Sequence, residues 1–369
     1  MKNGHTKKNI ALIIPGGIGT GRTSIGIPVL ERIIKLLALE FDITVFQLFP
    51  VNDGYSIQGF EVIPVYSTYP VLKIIKFFYV FIQSNRQKQF KAVHGFWVMP
   101  SGFLAVLMGK VYKIKSIVSV LGGDAIALPE IHYGQLRNPL YKKFILWTLR
   151  HAHEVNALTE YLINNLEKAG LRRKDIKTIP WGIDTELFTY QERPLEETVQ
   201  FLHVANLHPV KDQVTLLRTF KIISDKLPAH LTIIGEGDLR ENVILLIEEL
   251  HLKKNVTILG LIPYEQLSGF YHQADILLHT SLSEGQSEVV TEAMSCGVLV
   301  CGTNVGLIHD LPECCIAVPV KDYKLLASEC IRLIGDPKRI KMLRDQAHRW
   351  TAEHTIAWTT ERIKELYRC

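Results

Sequence analysis

Short apolar runs alternate along this chain with longer stretches whose apolar residues recur at roughly helical spacing. Runs read as strands at Asn9–Pro15, Ile43–Leu48, Val62–Val65, Ala92–His94, Ser116–Leu121 and Glu154–Ala157. A second series follows at Gln200–Ala205, His230–Gly235, Val256–Leu259, Ile276–His279, Val298–Cys301 and Ile316–Val318. Helix-length segments separate the runs, the first from about Ile25 to Leu39. Apolar strands without polar alternation are buried on both faces, which is the pattern of a parallel sheet covered by helices. Two such series predict two doubly wound, Rossmann-like α/β domains.

The joint reads at Ile179-Pro-Trp-Gly-Ile-Asp-Thr-Glu-Leu-Phe188, followed by the polar stretch Thr189–Thr198. Pro180 and Gly182 interrupt regular structure there. The expected division is 1–187, then 188–350, with a closing segment 351–369 whose helix, about Thr355–Tyr367, carries apolar or aromatic Ile356, Trp358, Ile363 and Leu366.

Charge separates the halves. Residues 1–187 hold 23 basic and 13 acidic side chains, a net of +10, while the remainder nets −5. A basic half suggests an anionic partner. No nucleic-acid motif is present. The segment Val71–Ile82 mixes aromatic and aliphatic residues with Lys73 and Lys76, which fits either an anionic membrane surface or a core helix with a solvated basic face. No run approaches the ~18 apolar residues of a membrane span. The polar, basic start and the Pro15-Gly16-Gly17 that ends the first strand do not read as a signal peptide. The six cysteines lack C-x2-C spacing and read as reduced thiols of a cytoplasmic protein.

Candidate chemistry concentrates after the strand Ala274–His279, in Thr280-Ser-Leu-Ser-Glu284-Gly285-Gln-Ser-Glu-Val-Val-Thr-Glu292-Ala-Met. A strand ends, a Ser/Gly loop follows, and a helix begins near Ser287 and stops at Gly297. Ligands of open α/β sheets sit at the carboxyl ends of strands. A helix N-terminus there offers unpaired N–H groups and partial positive charge to a diphosphate. Carboxylates in such a site need hydroxyl partners, which sugar and ribose supply. Glu288, in the first helical turn, reads only as a complement to the helix dipole.

This segment resembles the E-x7-E motif of family 4 of retaining glycosyltransferases, which have the GT-B fold, two Rossmann-like domains facing across a cleft. Its continuation, Glu292-Ala-Met-Ser-Cys-Gly297-Val-Leu-Val, resembles the family's E-A-M-A-x-G-x-P-V. The resemblance implies that Glu284 contacts the transferred hexose and Glu292 holds the ribose hydroxyls. It also implies that the backbone at Gly285, Gln286 and Ser287 faces phosphate or sugar. His203-Val-Ala-Asn206-Leu-His-Pro-Val-Lys211-Asp-Gln resembles V-G-R-L-x-x-x-K-G. Lys211 aligns with the lysine that binds the donor diphosphate, while Asn206 stands where the family has arginine, one cation fewer. Leu231-Thr-Ile-Ile-Gly235-Glu236-Gly237 resembles the family's strand followed by G-x-G, and Leu259-Gly-Leu261-Ile-Pro263 the segment that touches the base.

Ile14-Pro-Gly16-Gly17-Ile-Gly19-Thr-Gly21-Arg22 fits neither a Walker loop nor G-x-G-x-x-G. It resembles the family's first loop, with Gly17 and Arg22 as donor-side candidates. His94 in Val93-His94-Gly95-Phe96-Trp97 and Asp124 in Ser119-Val-Leu121-Gly-Gly123-Asp124 match the acceptor-side motifs, but Leu121 stands where a histidine is expected.

The resemblance implies transfer of a hexose from a nucleotide diphosphate-sugar to a saccharide or lipid-linked acceptor in surface polysaccharide or glycolipid assembly. Lys211 and the helix N-terminus would stabilise the leaving diphosphate. No metal or other cofactor is expected, since no D-x-D cluster is placed to hold a metal. The expected location is cytoplasmic, with peripheral contact at the inner face of a membrane through the basic domain, and no nucleic-acid partner. The alternatives are a nucleotide-sugar 2-epimerase, a non-enzymatic sugar-binding protein of two Rossmann-like lobes, and an inactive sugar-nucleotide-binding homologue.

Overall fold

The apolar run at the start of the chain becomes a central strand, β1 (Asn9–Ile14), in a computed structural model that describes residues 7–20 and 26–368. Ile10 to Ile14 are all buried because helices cover both faces of this strand. It is joined by β2 (Asp42–Gln47), β3 (Glu61–Pro64), β4 (Ala92–Phe96), β5 (Lys115–Val120), β6 (Glu154–Ala157) and a short β7 (Lys177–Thr178) that the apolar pattern did not signal. Among the described residues these form one parallel sheet in the order β3-β2-β1-β4-β5-β6-β7. The helix Pro28–Ala38 follows β1, with proline in its first turn, where the missing N–H is not needed. It buries Val29, Leu30, Ile33, Ile34 and Leu37 as one apolar stripe.

A second parallel sheet holds β8 (Val199–Val204), β9 (Ala229–Ile234), β10 (Val256–Gly260), β11 (Ile276–His279), β12 (Leu299–Thr303) and β13 (Cys315–Val318), in the order β10-β9-β8-β11-β12-β13. Strand order reverses between β1 and β4 in the first sheet and between β8 and β11 in the second. Such switch points open a crevice at the carboxyl ends of the two strands.

The chain divides into two compact units, one comprising residues 1–181 with 356–369 and the other residues 182–355. The division falls after Trp181, earlier than the joint after Leu187 suggested by the linker composition. The closing helix, Ile356–Tyr367, belongs to the first unit, where it packs on the helix Pro28–Ala38. Tyr367 meets Phe41 edge-on at 5.4 Å, and Lys364 pairs with Glu40 at 3.1 Å. Cys296, Cys301, Cys314, Cys315 and Cys330 are free and buried, and burial pushes the Cys296 and Cys314 thiols up to about 12.

Candidate active site

In the second unit two loops leave the sheet at its switch point, one after β8 and one after β11. They are stitched together by backbone and hydroxyl contacts. Leu282 N–H donates to Val210 O at 2.7 Å, and the Thr280 hydroxyl reaches Lys211 O and Asp212 O at 3.0 and 3.1 Å. Thr303 of β12 donates to Ser281 O at 2.6 Å. Asp212 turns the chain at φ 46° and caps the helix Gln213–Ser224 through Thr215 N–H, which leaves Lys211 directed at the second loop.

Lys211 Nζ lies 2.6 Å from Glu284 Oε1, and the Ser281 hydroxyl donates to the same oxygen at 2.6 Å. His279 Nε2 stands 3.2 Å away, close enough for an ion pair but not aligned for a hydrogen bond. The pair is largely buried, with side-chain exposures of 22% for Lys211 and 11% for Glu284. Burial is the largest influence on Glu284 and favours its neutral form, but the Lys211 charge and the neighbouring His279 outweigh it. The carboxyl is therefore held well below the usual range and stays ionised. Gly306 makes room for this arrangement. It has φ +54°, and a Cβ there would come within 2.7 Å of Glu284 Cβ.

The helix Glu288–Ser295 begins at once after the loop, with Ser287 at φ 81° as its first flanking residue. A non-glycine residue at positive φ is strained by about 1–3 kcal/mol, a type of strain that clusters at functional sites. Glu292 is buried inside this helix and accepts from the Tyr271 hydroxyl at 2.7 Å. Burial pushes its carboxyl up to about 7, against the hydrogen bonds of Tyr271 and Tyr264. Glu288, one helical turn earlier, is pushed up to about 8, first by burial and then by the Glu292 charge, with Lys211 opposing. The helix start thus carries one firmly ionised carboxylate, Glu284, and two carboxyls that resist ionisation.

The remaining donor-side residues are more dispersed. Gln286 is buried and its carbonyl accepts from Leu307 N–H at 3.0 Å, while Gly285 is half-buried beside it. Gly235, at φ +141°, sits so near β8 that a Cβ would approach Ala205 O to 1.9 Å. The Glu236 carboxylate is engaged by Arg240 at 2.8 Å. The Asn206 side chain and Leu261 are exposed. In the first unit Gly17 closes its loop by accepting from Ile27 N–H at 2.7 Å. Arg22 lies outside the described residues.

The acceptor-side expectation for His94 does not fit its surroundings. His94 is completely buried, stacked on Phe96 at 4.3 Å, and burial pushes its imidazole down to about 3, so the ring is neutral. Its Nδ1 meets Tyr367 Oη at 2.8 Å and its Nε2 meets Ser119 Oγ at 2.7 Å. Ser119 Oγ itself donates to Asn156 Oδ1 at 2.8 Å, so it accepts from His94 Nε2–H, and Tyr367 donates to Nδ1. No ring nitrogen is left for a substrate. Asp124 is equally occupied, accepting from Val98 N–H at 2.9 Å and Gly122 N–H at 2.8 Å. Burial, the largest influence, raises its carboxyl, and these backbone donors oppose the shift. From inside the core His94 ties β4 to β5 and to the closing helix, Asp124 ties two loop segments together, and Leu121 is buried with them.

His279, Ser281, Tyr264 and Tyr271 were not legible as site residues. His279 ends β11 directly before the motif, and that position was its one available signal. Tyr271 reaches Glu292 across 21 residues of chain with no periodicity to announce it. Among the described residues no group of three or more His, Cys, Asp or Glu is gathered as metal ligands.

The family model described as "Glycosyl transferases group 1" matches residues 186–350, and that described as "Glycosyltransferase Family 4" matches residues 29–187. N-acetyl-alpha-D-glucosaminyl L-malate synthase of Bacillus anthracis is 24% identical over 74% of this chain and 72% of its own length. The phosphatidylinositol N-acetylglucosaminyltransferase GPI3 subunit of Saccharomyces cerevisiae is 25% identical over 48% of this chain, which spans only 42% of that relative. The solved structure of HepE from Anabaena in complex with UDP superposes with TM-score 0.79 at 17% identity, covering 97% of this chain and 98% of its own. The two parallel-sheet α/β units have the GT-B fold, and the chain belongs to glycosyltransferase family 4.

Proposed function

We propose that this glycosyltransferase moves a hexose from a nucleotide diphosphate-sugar to a saccharide or lipid-linked acceptor, with retention at the anomeric carbon, in the assembly of a surface polysaccharide or glycolipid. The observation that carries the proposal is the ionised Glu284 clamped to Lys211 at the switch point of the second sheet, directly before a helix N-terminus. The helix N–H groups and Lys211 supply positive potential for a diphosphate. Glu288 and Glu292, whose carboxyls are pushed up to about 8 and about 7, are protonated in part at neutral pH. A diphosphate is therefore repelled less than it would be by two ordinary carboxylates, and both carboxyl groups remain hydrogen-bonding partners for hydroxyls. In this reading Glu284 orients the hexose and Glu292, with Tyr264 and Tyr271 behind it, orients the ribose.

Transfer breaks the bond between the anomeric carbon and the phosphate oxygen, whose electron pair leaves with the nucleotide diphosphate. The acceptor hydroxyl oxygen bonds the same face of that carbon, and its proton passes to the departing phosphate oxygen. Lys211 and the helix N-terminus neutralise the charge that develops there, so catalysis is chiefly electrostatic and positional and needs no metal. His94 and Asp124 take no part.

The names of two relatives carry an N-acetylglucosaminyl group, and the HepE structure holds UDP, which makes UDP-N-acetylglucosamine the first donor to test. Thermal shift with UDP-, GDP- and ADP-sugars in a metal chelator is expected to show stabilisation by one class. A protein unmoved by every donor would contradict the proposal.

A further inference from the structure

The helix Pro70–Lys88 is built the wrong way round for a helix that only covers a sheet. Phe77 and Phe81 bury against Phe46, with ring centroids 6.0 and 5.2 Å apart, and anchor the helix. Val71, Leu72, Ile74, Ile75 and Tyr79 instead face solvent, with exposures of 69% at Val71, 58% at Ile75 and 65% at Tyr79. Exposed aliphatic residues scattered singly are ordinary, but five within three turns of one helix mark an interaction surface. Lysines frame it. Lys73 Nζ lies over the rings of Phe49 and Tyr66 at 5.1 and 5.7 Å, and Lys76 Nζ donates to Tyr66 O at 3.3 Å. Phe49 and Tyr66 are themselves exposed, so the apolar surface continues past the helix start.

Charge along this part of the chain is basic, and its acidic partners, Asp42 and Glu61, meet Lys88 only at the far end of the helix, at 3.6 and 2.8 Å. From residue 62 to residue 123 the sequence contains no Asp or Glu and eight Lys or Arg. The neighbouring helix Phe103–Tyr112, joined through the Phe81–Tyr112 ring contact at 6.0 Å, exposes Val111 in the same acid-free stretch. Lys73 and Lys76 on a second copy of this face would disfavour its pairing with the first. An apolar strip edged by lysines and lacking acids is complementary to an anionic bilayer, with the aliphatic residues below the headgroups and the ammonium groups among them. Among the described residues no helix is long and apolar enough to cross a membrane, so this one would lie in the interface.

We propose that the helix Pro70–Lys88 docks the protein on an anionic lipid surface, inserting Val71, Leu72, Ile74, Ile75 and Tyr79, with Lys73 and Lys76 at headgroup level. This deepens the proposed function by placing the acceptor at a bilayer, and it rests on that reading only for that consequence. Lipid binding itself is read without donor or acceptor, so failure of either statement leaves the other measurable.

The test is co-sedimentation of the full chain with vesicles of phosphatidylcholine alone and of equimolar phosphatidylcholine and phosphatidylglycerol. The wild type is expected to bind the mixed vesicles and to be released by salt. Lys73→Glu with Lys76→Glu, and separately Leu72→Glu with Ile75→Glu, are each expected to weaken binding by about tenfold or more. Leu72→Ser with Ile75→Ser provides a milder pair, and thermal melts identify any variant that has lost its fold. Three outcomes would overturn the proposal. One is no binding to the mixed vesicles, and another is binding that folded variants of both kinds retain. The third is a lipid-free dimer that Leu72→Glu with Ile75→Glu dissociates.

Discussion

Each unit contains a buried polar cluster, and the two are finished in opposite ways. In the first unit Tyr367, His94, Ser119 and Asn156 form a chain in which every donor meets an acceptor, and Asp124 is saturated by backbone N–H groups. In the second, Glu284 is ionised beside Lys211, the half-buried Glu288 and the buried Glu292 have carboxyls driven upward, and His279 Nδ1 and His203 Nε2 have no hydrogen-bond partner. A completed network gains rigidity and has nothing left to offer a ligand. An incomplete, electrostatically loaded one is less favourable to fold and is retained where a ligand completes it. Buried histidines and aspartates therefore do not mark a site by their presence. What distinguishes them is whether their hydrogen-bonding capacity is already used.

The strongest challenge to this contrast is Lys211→Met. It removes the cation from the loaded cluster and strands Glu284. Transfer is expected to fall by about 100-fold or more, measured with the donor identified by thermal shift. Stability should drop by about 1–3 kcal/mol in denaturant unfolding, because a largely buried carboxylate loses its partner. Near-normal turnover would break the comparison.

Glu292→Gln is the sharper test, because stability and binding should move in opposite directions. The folded carboxyl sits near 7 against an ordinary 4.5, so the folded state holds its proton to higher pH than the unfolded chain. Wild-type stability is therefore lost as pH rises from about 4.5 to 7, and the loss persists above that window. Glutamine keeps an acceptor for Tyr271 and removes the titration. At pH 8 the variant should be more stable by about 1–3 kcal/mol while binding donor at least about tenfold more weakly.

Tyr367→Phe probes the completed cluster. It leaves His94 Nδ1 unpaired in the core, and a loss of about 1–2 kcal/mol is expected in denaturant unfolding, with donor affinity unchanged. A change in donor binding would mean that the first unit's network is not purely architectural. The smallest effect is expected from Asn206→Arg. It adds a cation at an exposed position and should tighten donor binding by about threefold, an effect that weakens as salt is raised.

Much of this architecture was legible in the chain itself. Uninterrupted apolar strands such as Asn9–Ile14 and Ile276–His279 specify parallel sheets through burial on both faces, and the local sequence carries that information. Glu284, Glu292 and Lys211 were legible because a strand, a glycine loop and a helix start fix their surroundings within a few residues. Three features lay beyond such reading. Tyr271 and Tyr367 act on Glu292 and His94 across 21 and 273 residues, and only the fold brings them together. The sealing of His94 depends on Ser119 and Asn156 from neighbouring strands, so a strand-end histidine looked available when it was not. Glu288 read as a dipole complement, because its half-burial near Glu292 is a property of packing around the helix.

The most direct test is titration of the donor panel at pH 8, in a metal chelator, against the wild type and Glu292→Gln in parallel. One nucleotide-sugar class should stabilise the wild type by several degrees at saturating concentration, roughly the 3 kcal/mol expected at one hundred times Kd. The same donor should shift the intrinsically more stable Glu292→Gln protein by about half as much or less. Equal shifts in the two proteins, or none in the wild type, would contradict the assignment of the second unit's carboxylate–lysine cluster as the donor site.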